Sequence, residues 1–269
     1  GLIAQLDEAL LLQSPRFAQA RDEAIAAFRE APHRPPALAG KGYPADPVEL
    51  RNLLDGYIAA SDEPTPAPDS HDSICGVISP HIDDQRGGAI YAGAWRRAAA
   101  AVRKAELVIV LGTDHAGEPG QLTPTRQHYA TPFGVLPTAQ SAVDALAAAL
   151  GEEEAFAAEL NHRQEHSIEL AAVWLHYLLG EGGCEVVPIL CGSFQHFVEG
   201  AADPARDERF AHAVDALRQA TAGRRTLVVA AADLAHVGPA FGDPAPLGPT
   251  ERVDLRSADS TLLGVASAG

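Results

Sequence analysis

Three histidines occupy equivalent places in the chain, each a few residues past the end of an apolar run: His81 after ICGVISP, His115 after ELVIVLGTD and His236 after RTLVVAAADLA. Imidazole is the commonest neutral metal ligand, and a carboxylate on its second ring nitrogen fixes the tautomer that binds. Each histidine has such a neighbour in sequence: Asp83 or Asp84 beside His81, Asp114 beside His115, Asp233 beside His236. A lone histidine at a strand end is usually just solvated. Three at matching positions point to one site if their strands run parallel, because ligands in open α/β sheets sit outside the carboxyl ends of the strands.

A second constellation is NHRQEHSIEL at 161–170. His162 and His166 are four apart with Glu165 between them, the HxxEH spacing by which inverted zinc peptidases put two ligands on one helix face. Such peptidases need a further carboxylate from a later helix, and no residue is singled out for that. The alternative is that Glu165 and His166 open an amphipathic helix whose apolar face is Ile168, Leu170, Ala172, Val173 and Leu175. Arg86, Gly87 and Gly88 fit either a tight strand-to-helix turn or a helix N-terminus holding an anion. Cys191 reads as a small buried hydrophobe. The absence of GxSxG and GxxxxGK leaves serine hydrolase and P-loop chemistry without support.

These residues need elements to position them. Helical spacing predicts helices over 2–12 and 15–30, the second with Ser14 as N-cap and Pro15 in its first turn. After a proline-rich break comes a helix over 47–60, and SDEPTPAPDSHDS at 61–73 reads as a surface loop. Strands and helices then alternate: ICGVISP, a helix over 87–104, ELVIVLG, a hairpin around LTPTRQHYATPFGVLPT, helices between 139 and 160 and between 165 and 180, CEVVPILCG, a helix over 205–222, and RTLVVAAAD. The Val- and Ile-rich runs are continuous, the pattern of strands buried on both faces. The expectation is an α/β fold: a layered, mostly parallel or mixed central sheet with helices on both faces.

Composition narrows the function classes. A chain of 269 residues with formal net charge −16 has no basic stripe for a phosphate backbone, so nucleic acid is excluded as a partner. Cys75, Cys184 and Cys191 are odd in number with no CxxC pair, which suggests a reducing compartment. The apolar runs are strand-length and the N-terminus lacks a signal-peptide layout, so no membrane span is expected and the cytoplasm is the expected location. The lack of methionine and the start at Gly1 read as a processed or trimmed chain, and the stop at VASAG as one whose natural C-terminus lies further on.

Taken together, PHIDDQRGGAIYAG, VIVLGTDHAG, LTPTRQHYATPFGVLPT, EHSIE, VVPILCGSF and DLAHVGPAFGDP, in this order and spacing, resemble the MEMO family, specifically the bacterial branch called AmmeMemoRadiSam system protein B. The resemblance covers about residues 34–269, including RPPALAGKGYPADPVELRNLLDGYI, and residues 1–33 resemble that branch's N-terminal helical extension. It implies a fold similar to class III extradiol dioxygenases, the non-heme iron enzymes that open catechol rings. By motif, His81 and His115 match the first two metal-binding histidines, and His236 matches the histidine of an SSDFxHxG-type motif in the same pocket. Glu165 and His166 become pocket or supporting residues rather than half of a zinc pair. Two departures follow. PHID replaces PHAG, so Asp83 adds a carboxylate that could complete a two-histidine, one-carboxylate Fe(II) site. The family's further ligand, a cysteine in a C-terminal CG motif, is not reached by Gly269, and Cys191 belongs to another motif. A metal is therefore expected to be weakly held or absent.

Three functional readings stand at this point. One is a divalent-metal redox or dioxygenase-like enzyme, with Fe(II) first and copper or zinc as alternatives, in which His236 serves as catalytic acid or base. The second is a non-catalytic module that holds a peptide or small ligand in the same pocket. The third is the zinc peptidase. The branch name also implies a pathway link to AMMECR-type and radical-SAM proteins. The substrate is not written in the sequence.

Overall fold

The computed structural model describes residues 1–61 and 74–268, so the acidic loop expected at 61–73 lies, apart from Ser61, outside the described residues. The chain divides into two units, Gly1–Ala232 and Asp233–Gly269.

In the first unit, helices α1 (Leu2–Glu8), α2 (Pro15–Glu30) and α3 (Pro47–Ala60) precede the sheet. Local chemistry sets where the latter two begin. The Ser14 side chain accepts from the Phe17 amide at 3.3 Å, and Asp46 accepts from the Val48 and Glu49 amides at 2.8 and 2.9 Å, each followed by a proline that needs no amide partner. There follow β1 (Gly76–Ser79), α4 (Asp84–Lys104), β2 (Leu107–Thr113), β3 (Leu122–Pro124), β4 (Tyr129–Thr131), β5 (Gly134–Leu136), α5 (Gln140–Leu150), α6 (Glu152–Ala155), α7 (Ser167–Leu179), β6 (Glu185–Cys191), α8 (Gln195–Val198), α9 (Glu208–Ala220) and β7 (Thr226–Ala231).

The central sheet has the order β1-β7-β2-β6-β3, with β1, β7, β2 and β6 parallel and β3 antiparallel on the edge beside β6. The continuous apolar runs divide between two faces. Val108 and Val110 of β2 join Val186, Leu227 and Val229 under α4 and α7, whereas Leu107 and Ile109 join Val187 and Ile189 under α5 and α9. Alternation along each strand thus feeds two separate cores, and each such buried side chain contributes about 1.5–3 kcal/mol. The layered α/β architecture is the one the sequence predicts.

The expected hairpin is divided. Leu122–Pro124 joins the main sheet against β6, and only β4 and β5 pair with each other. Pro124 has no N–H to donate to a ladder, which an edge strand tolerates. The expected helix between 139 and 160 also breaks, at Gly151 with φ +89°, leaving α6 as a single turn.

The second unit holds a 3-10 turn at Pro239–Phe241 and α10 (Pro249–Ala268). The Asp243 carboxylate accepts from the Gly238 amide at 2.5 Å, and Glu251 accepts from the Gly248 amide at 2.6 Å at the start of α10. Among the described residues no helix is long and apolar enough to cross a membrane.

Candidate functional site

Parallel strands bring their carboxyl ends to one edge of the sheet. β1 ends at Ser79, whose hydroxyl accepts from the Trp95 indole at 3.0 Å, and the chain then turns to His81, which is only 4% exposed. β2 ends at Thr113, with His115 two residues on. The third contributor comes from a helix start: α7 packs on β2, the Ser167 hydroxyl donates to the Thr113 carbonyl at 2.9 Å, and His166 stands immediately before it. Gly112 permits this approach, since a Cβ there would lie 2.4 Å from Ile168 Cγ1.

His81, His115 and His166 thereby meet. Their ring centroids are 5.2 Å apart for His81 and His115, 5.7 Å for His81 and His166, and 4.9 Å for His115 and His166. One ligand atom from each lies within 4.8 Å of the other two. An ion about 2.0–2.2 Å from each nitrogen wants donors roughly 3–3.5 Å apart, a separation inside the bound that holds for this set. An all-imidazole set suits iron, copper, nickel or zinc rather than magnesium or calcium, which take oxygen donors.

Glu165 supports two of the rings. Its Oε2 accepts from His115 Nδ1 at 2.9 Å and from the His115 amide at 3.2 Å. Its Oε1 accepts from the His166 and Ser167 amides at 2.7 and 3.0 Å and pairs with His166 Nδ1 at 3.2 Å. Burial alone raises this carboxyl, but the bonds from His166, the Ser167 amide and His115 outweigh it and hold Glu165 well below the usual carboxylate range.

His162 does not share a helix face with His166. Residues Glu159–Arg163 form a 3-10 turn, and α7 begins only at Ser167. Its Nε2 donates to the Thr123 carbonyl at 2.8 Å and its Nδ1 accepts from the Tyr129 hydroxyl at 2.6 Å, so both nitrogens are committed within a buried site. Arg34, fully buried, holds this turn: it donates to the His162 carbonyl at 2.8 Å, to the Glu165 carbonyl at 2.7 Å and to the Glu169 carboxylate.

Of the carboxylates named beside the histidines, Asp83 and Asp114 take other partners, whereas Asp233 faces His236. Asp83 is the N-cap of α4, accepting from the Arg86 amide at 3.0 Å and from Arg86 Nε at 2.5 Å. Asp114 accepts from Asn161 Nδ2 at 3.1 Å on each oxygen and from the Ala116 amide at 3.1 Å. The partner of His115 is thus Glu165, fifty residues away, a pairing that adjacency in sequence could not reveal. His236 and Asp233 belong to the second unit, where they face each other at 3.4 Å and His236 stacks on Phe241 at 4.7 Å. Cys191 lies with Thr113, Asp114, His115, Phe194 and Ala231 along a cavity of about 590 Å³ beside His115, and burial followed by the Asp114 charge pushes its thiol up to about 12. Arg34 and Asn161 carried no signal in the sequence, because a buried arginine or a bridging amide reads like any solvated one.

A parallel sheet that gathers three imidazoles where its strands and a crossing helix converge defines a histidine-cluster α/β protein. The sequence model of the Memo-like protein family matches residues 34–264, and the chain belongs to that family. Similar relatives include a MEMO1 family protein of Aquifex aeolicus, 25% identical over 252 residues that span 92% of this chain and 60% of the relative. One of Methanopyrus kandleri is 30% identical over 212 residues, covering 77% of this chain and 70% of the relative. One of Thermotoga neapolitana is 31% identical over 216 residues, covering 76% and 70%. The match to this chain thus takes in 60–70% of these relatives' lengths.

Proposed function

We propose that the chain binds one divalent transition metal through His81, His115 and His166 and is a non-heme redox or dioxygenase-like enzyme acting on a small molecule. The observation that carries this reading is the set of three imidazole donors within 4.8 Å of one another, two of them held by one buried carboxylate. Bound there, a metal of the iron type supplies Lewis acidity and redox capacity toward an oxygen-bearing substrate. The chain's own residues do the rest. His81 closes the buried side, Glu165 orients His115 and His166, and the cavity beside His115 offers space of the size that takes a small ligand. The acid–base role that the family motif carries to His236, a second site carboxylate at Asp83, and a pathway shared with AMMECR-type and radical-SAM proteins belong to the same proposal.

The test is elemental analysis of anaerobically purified protein with His81→Ala, His115→Ala, His166→Ala and His162→Ala beside the parent. One equivalent of iron or copper lost in each of the first three variants and kept in the fourth is expected. A parent that binds no stoichiometric metal under any loading condition leaves the non-catalytic binding module as the reading. Zinc lost with His162→Ala would restore the peptidase.

A further inference from the structure

We infer that helix α2, which precedes the family-matched residues 34–264, braces the histidine site: its Arg29 neutralises the buried Glu159 carboxylate at the head of the 3-10 turn from which His115 is held. The consequence for metal affinity rests on the proposed metal site, whereas the hydrogen-bonded frame must already exist in the metal-free chain.

The Glu159 side chain is only 4% exposed, so water does not solvate its charge. Its Oε1 accepts from the Thr125 hydroxyl at 2.8 Å and its Oε2 from Arg29 Nε at 2.6 Å. The last turn of α2 is itself anchored there: Phe28 is buried, the Arg29 carbonyl accepts from Gln127 Nε2 at 2.9 Å, and Arg29 Nη2 donates to the Phe156 carbonyl at 3.5 Å. Stranding a buried carboxylate costs more than the intact pair contributes, so the segment around Glu159 must move if the cation goes.

That segment carries two side chains that hold His115 and its neighbour. The 3-10 turn Glu159–Arg163 is five residues long, and its hydrogen-bond geometry is poorer than that of an α-helix, so contacts from outside settle its shape. Asn161, in its middle, donates Nδ2 to both oxygens of Asp114 at 3.1 Å, and Asp114 adjoins His115. The Asn161 carbonyl accepts from the Gln164 and Glu165 amides at 3.2 and 3.1 Å, which sets where Glu165 leaves the turn. Glu165 Oε2 then accepts from His115 Nδ1 at 2.9 Å and from the His115 amide at 3.2 Å. Arg34 grips the far end of the turn through the His162 and Glu165 carbonyls, and Arg29 grips its start. Arg29 is a positioning residue that acts through the turn.

The Arg29 side chain is half-exposed, so Arg29→Gln removes the charge without opening a core cavity. Glu159 keeps one hydroxyl donor, the turn loosens to let water reach the carboxylate, and Asn161 and Glu165 loosen with it. Adding Glu159→Gln leaves no charge to solvate and keeps an acceptor for Thr125, so the double variant recovers the parental frame. Arg21, exposed on the same helix and paired with its neighbour Asp22, serves as the control.

The experiment is residue-resolved amide hydrogen exchange of the full metal-free chain, with Co(II) affinity measured by chelator competition. The chains are the parent, Arg29→Gln, Arg29→Gln with Glu159→Gln, and Arg21→Gln. Arg29→Gln is expected to speed exchange at the Gln164, Glu165 and His115 amides and to weaken Co(II) binding, each by roughly 3- to 30-fold, while the amides of β7 keep their parental rates. The double variant and Arg21→Gln should match the parent in both readouts. Unchanged exchange at those three amides in folded Arg29→Gln overturns the inference, as does an equal acceleration throughout β7, which would mark a general loss of stability. Faster exchange beside an unchanged Co(II) affinity overturns it as well. If Arg29→Gln does not fold, the double variant still must, since it strands no charge, and an unfolded double variant overturns the brace. A parent that binds no Co(II) while its three amides respond to Arg29→Gln keeps the brace and overturns the metal reading instead.

Discussion

Tyr129 donates its hydroxyl to His162 Nδ1 at 2.6 Å, and this bond removes the last lone pair that His162 could offer a metal, because its Nε2 proton already goes to the Thr123 carbonyl. Burial pushes the imidazole down to about 3 against the lift from the Thr123 carbonyl, with the Arg34 charge adding a smaller push downward, so the ring is neutral in the fold. The unfolded chain takes up the proton near pH 6.5, well before the folded one does. Stability is therefore complete above about pH 6.5 and falls as pH drops toward 3, by up to ~1.4 kcal/mol per pH unit. His176, also lowered by burial, adds in the same direction, and Glu165 adds only below its ordinary range near 4.5. Urea unfolding between pH 7 and 4 should show a shallower loss in His162→Gln than in the parent. Equal slopes would mean that His162 is protonated in the fold.

Arg34 and Glu169 form a buried ion pair in which both carboxylate oxygens are fully used. Glu169 also accepts from the Ala37 and Leu38 amides at 2.8 Å each and from the Tyr43 hydroxyl at 2.5 Å, while Arg34 also donates to two carbonyls. Removing one partner strands the other charge away from water. Arg34→Met is expected to cost about 3–5 kcal/mol in equilibrium unfolding, and Arg34→Lys to recover only part of that because an ammonium cannot span three acceptors. The double change Arg34→Met with Glu169→Gln should be less damaging than Arg34→Met alone. A double variant as unstable as the sum of the singles would show that the pair is not coupled.

These residues mark where the sequence was informative and where it stopped. The sheet was legible because ELVIVLG and CEVVPILCG are continuous Val- and Ile-rich runs, which only strands covered on both faces tolerate, and α2 because Ser14-Pro15 announces its start. Parallel strands made it reasonable to expect His81 and His115 on one edge. The family motif placed His166 only near the pocket, and its meeting with His81 and His115 was not legible, since its position depends on α7 docking against Gly112. The carboxylate that bonds His115 was not legible from adjacency: Asp83 and Asp114 are short side chains beside turns and bind the turns' own amides and neighbours, whereas Glu165 has the reach to cross from one element to another. The HxxEH spacing failed because four residues share a face only inside one continuous helix, and this segment changes from a 3-10 turn to α7 between its two histidines.

Gly112 links strand packing to the site. A Cβ there would stand 2.4 Å from Ile168 Cγ1 and 2.7 Å from Ser167 Oγ, at the first turn of α7 and one residue from His166. Gly112→Ala must push that turn off the strand, at about 1–3 kcal/mol. Metal affinity should fall with it, because His166 moves while His81 and His115 stay. The comparison is Gly223→Ala, at an open turn with φ +79°, which is expected to lose stability through backbone strain but leave affinity at the parental value. Chelator competition on both variants checks this, and a loss of affinity in Gly223→Ala equal to that in Gly112→Ala would remove the local explanation.

Asp84, in the first turn of α4 and 3% exposed, works against the fold at neutral pH. Burial pushes its carboxyl up to about 6; the Trp174 indole pulls the other way, and the Asp83 charge adds to the rise. A raised acid binds its proton in the fold before the unfolded chain does, so stability is gained as pH falls from about 6 toward 3.8 and is forfeited above that window. Asp84→Asn removes the charge and keeps the shape. It is expected to be more stable than the parent at pH 8 by on the order of 2 kcal/mol, and no more stable by pH 4, where the parent carboxyl is itself protonated. Urea unfolding at the two pH values decides it: a variant less stable than the parent at pH 8 would mean that the ionised carboxylate is held by the helix start and Trp174 more strongly than burial opposes it.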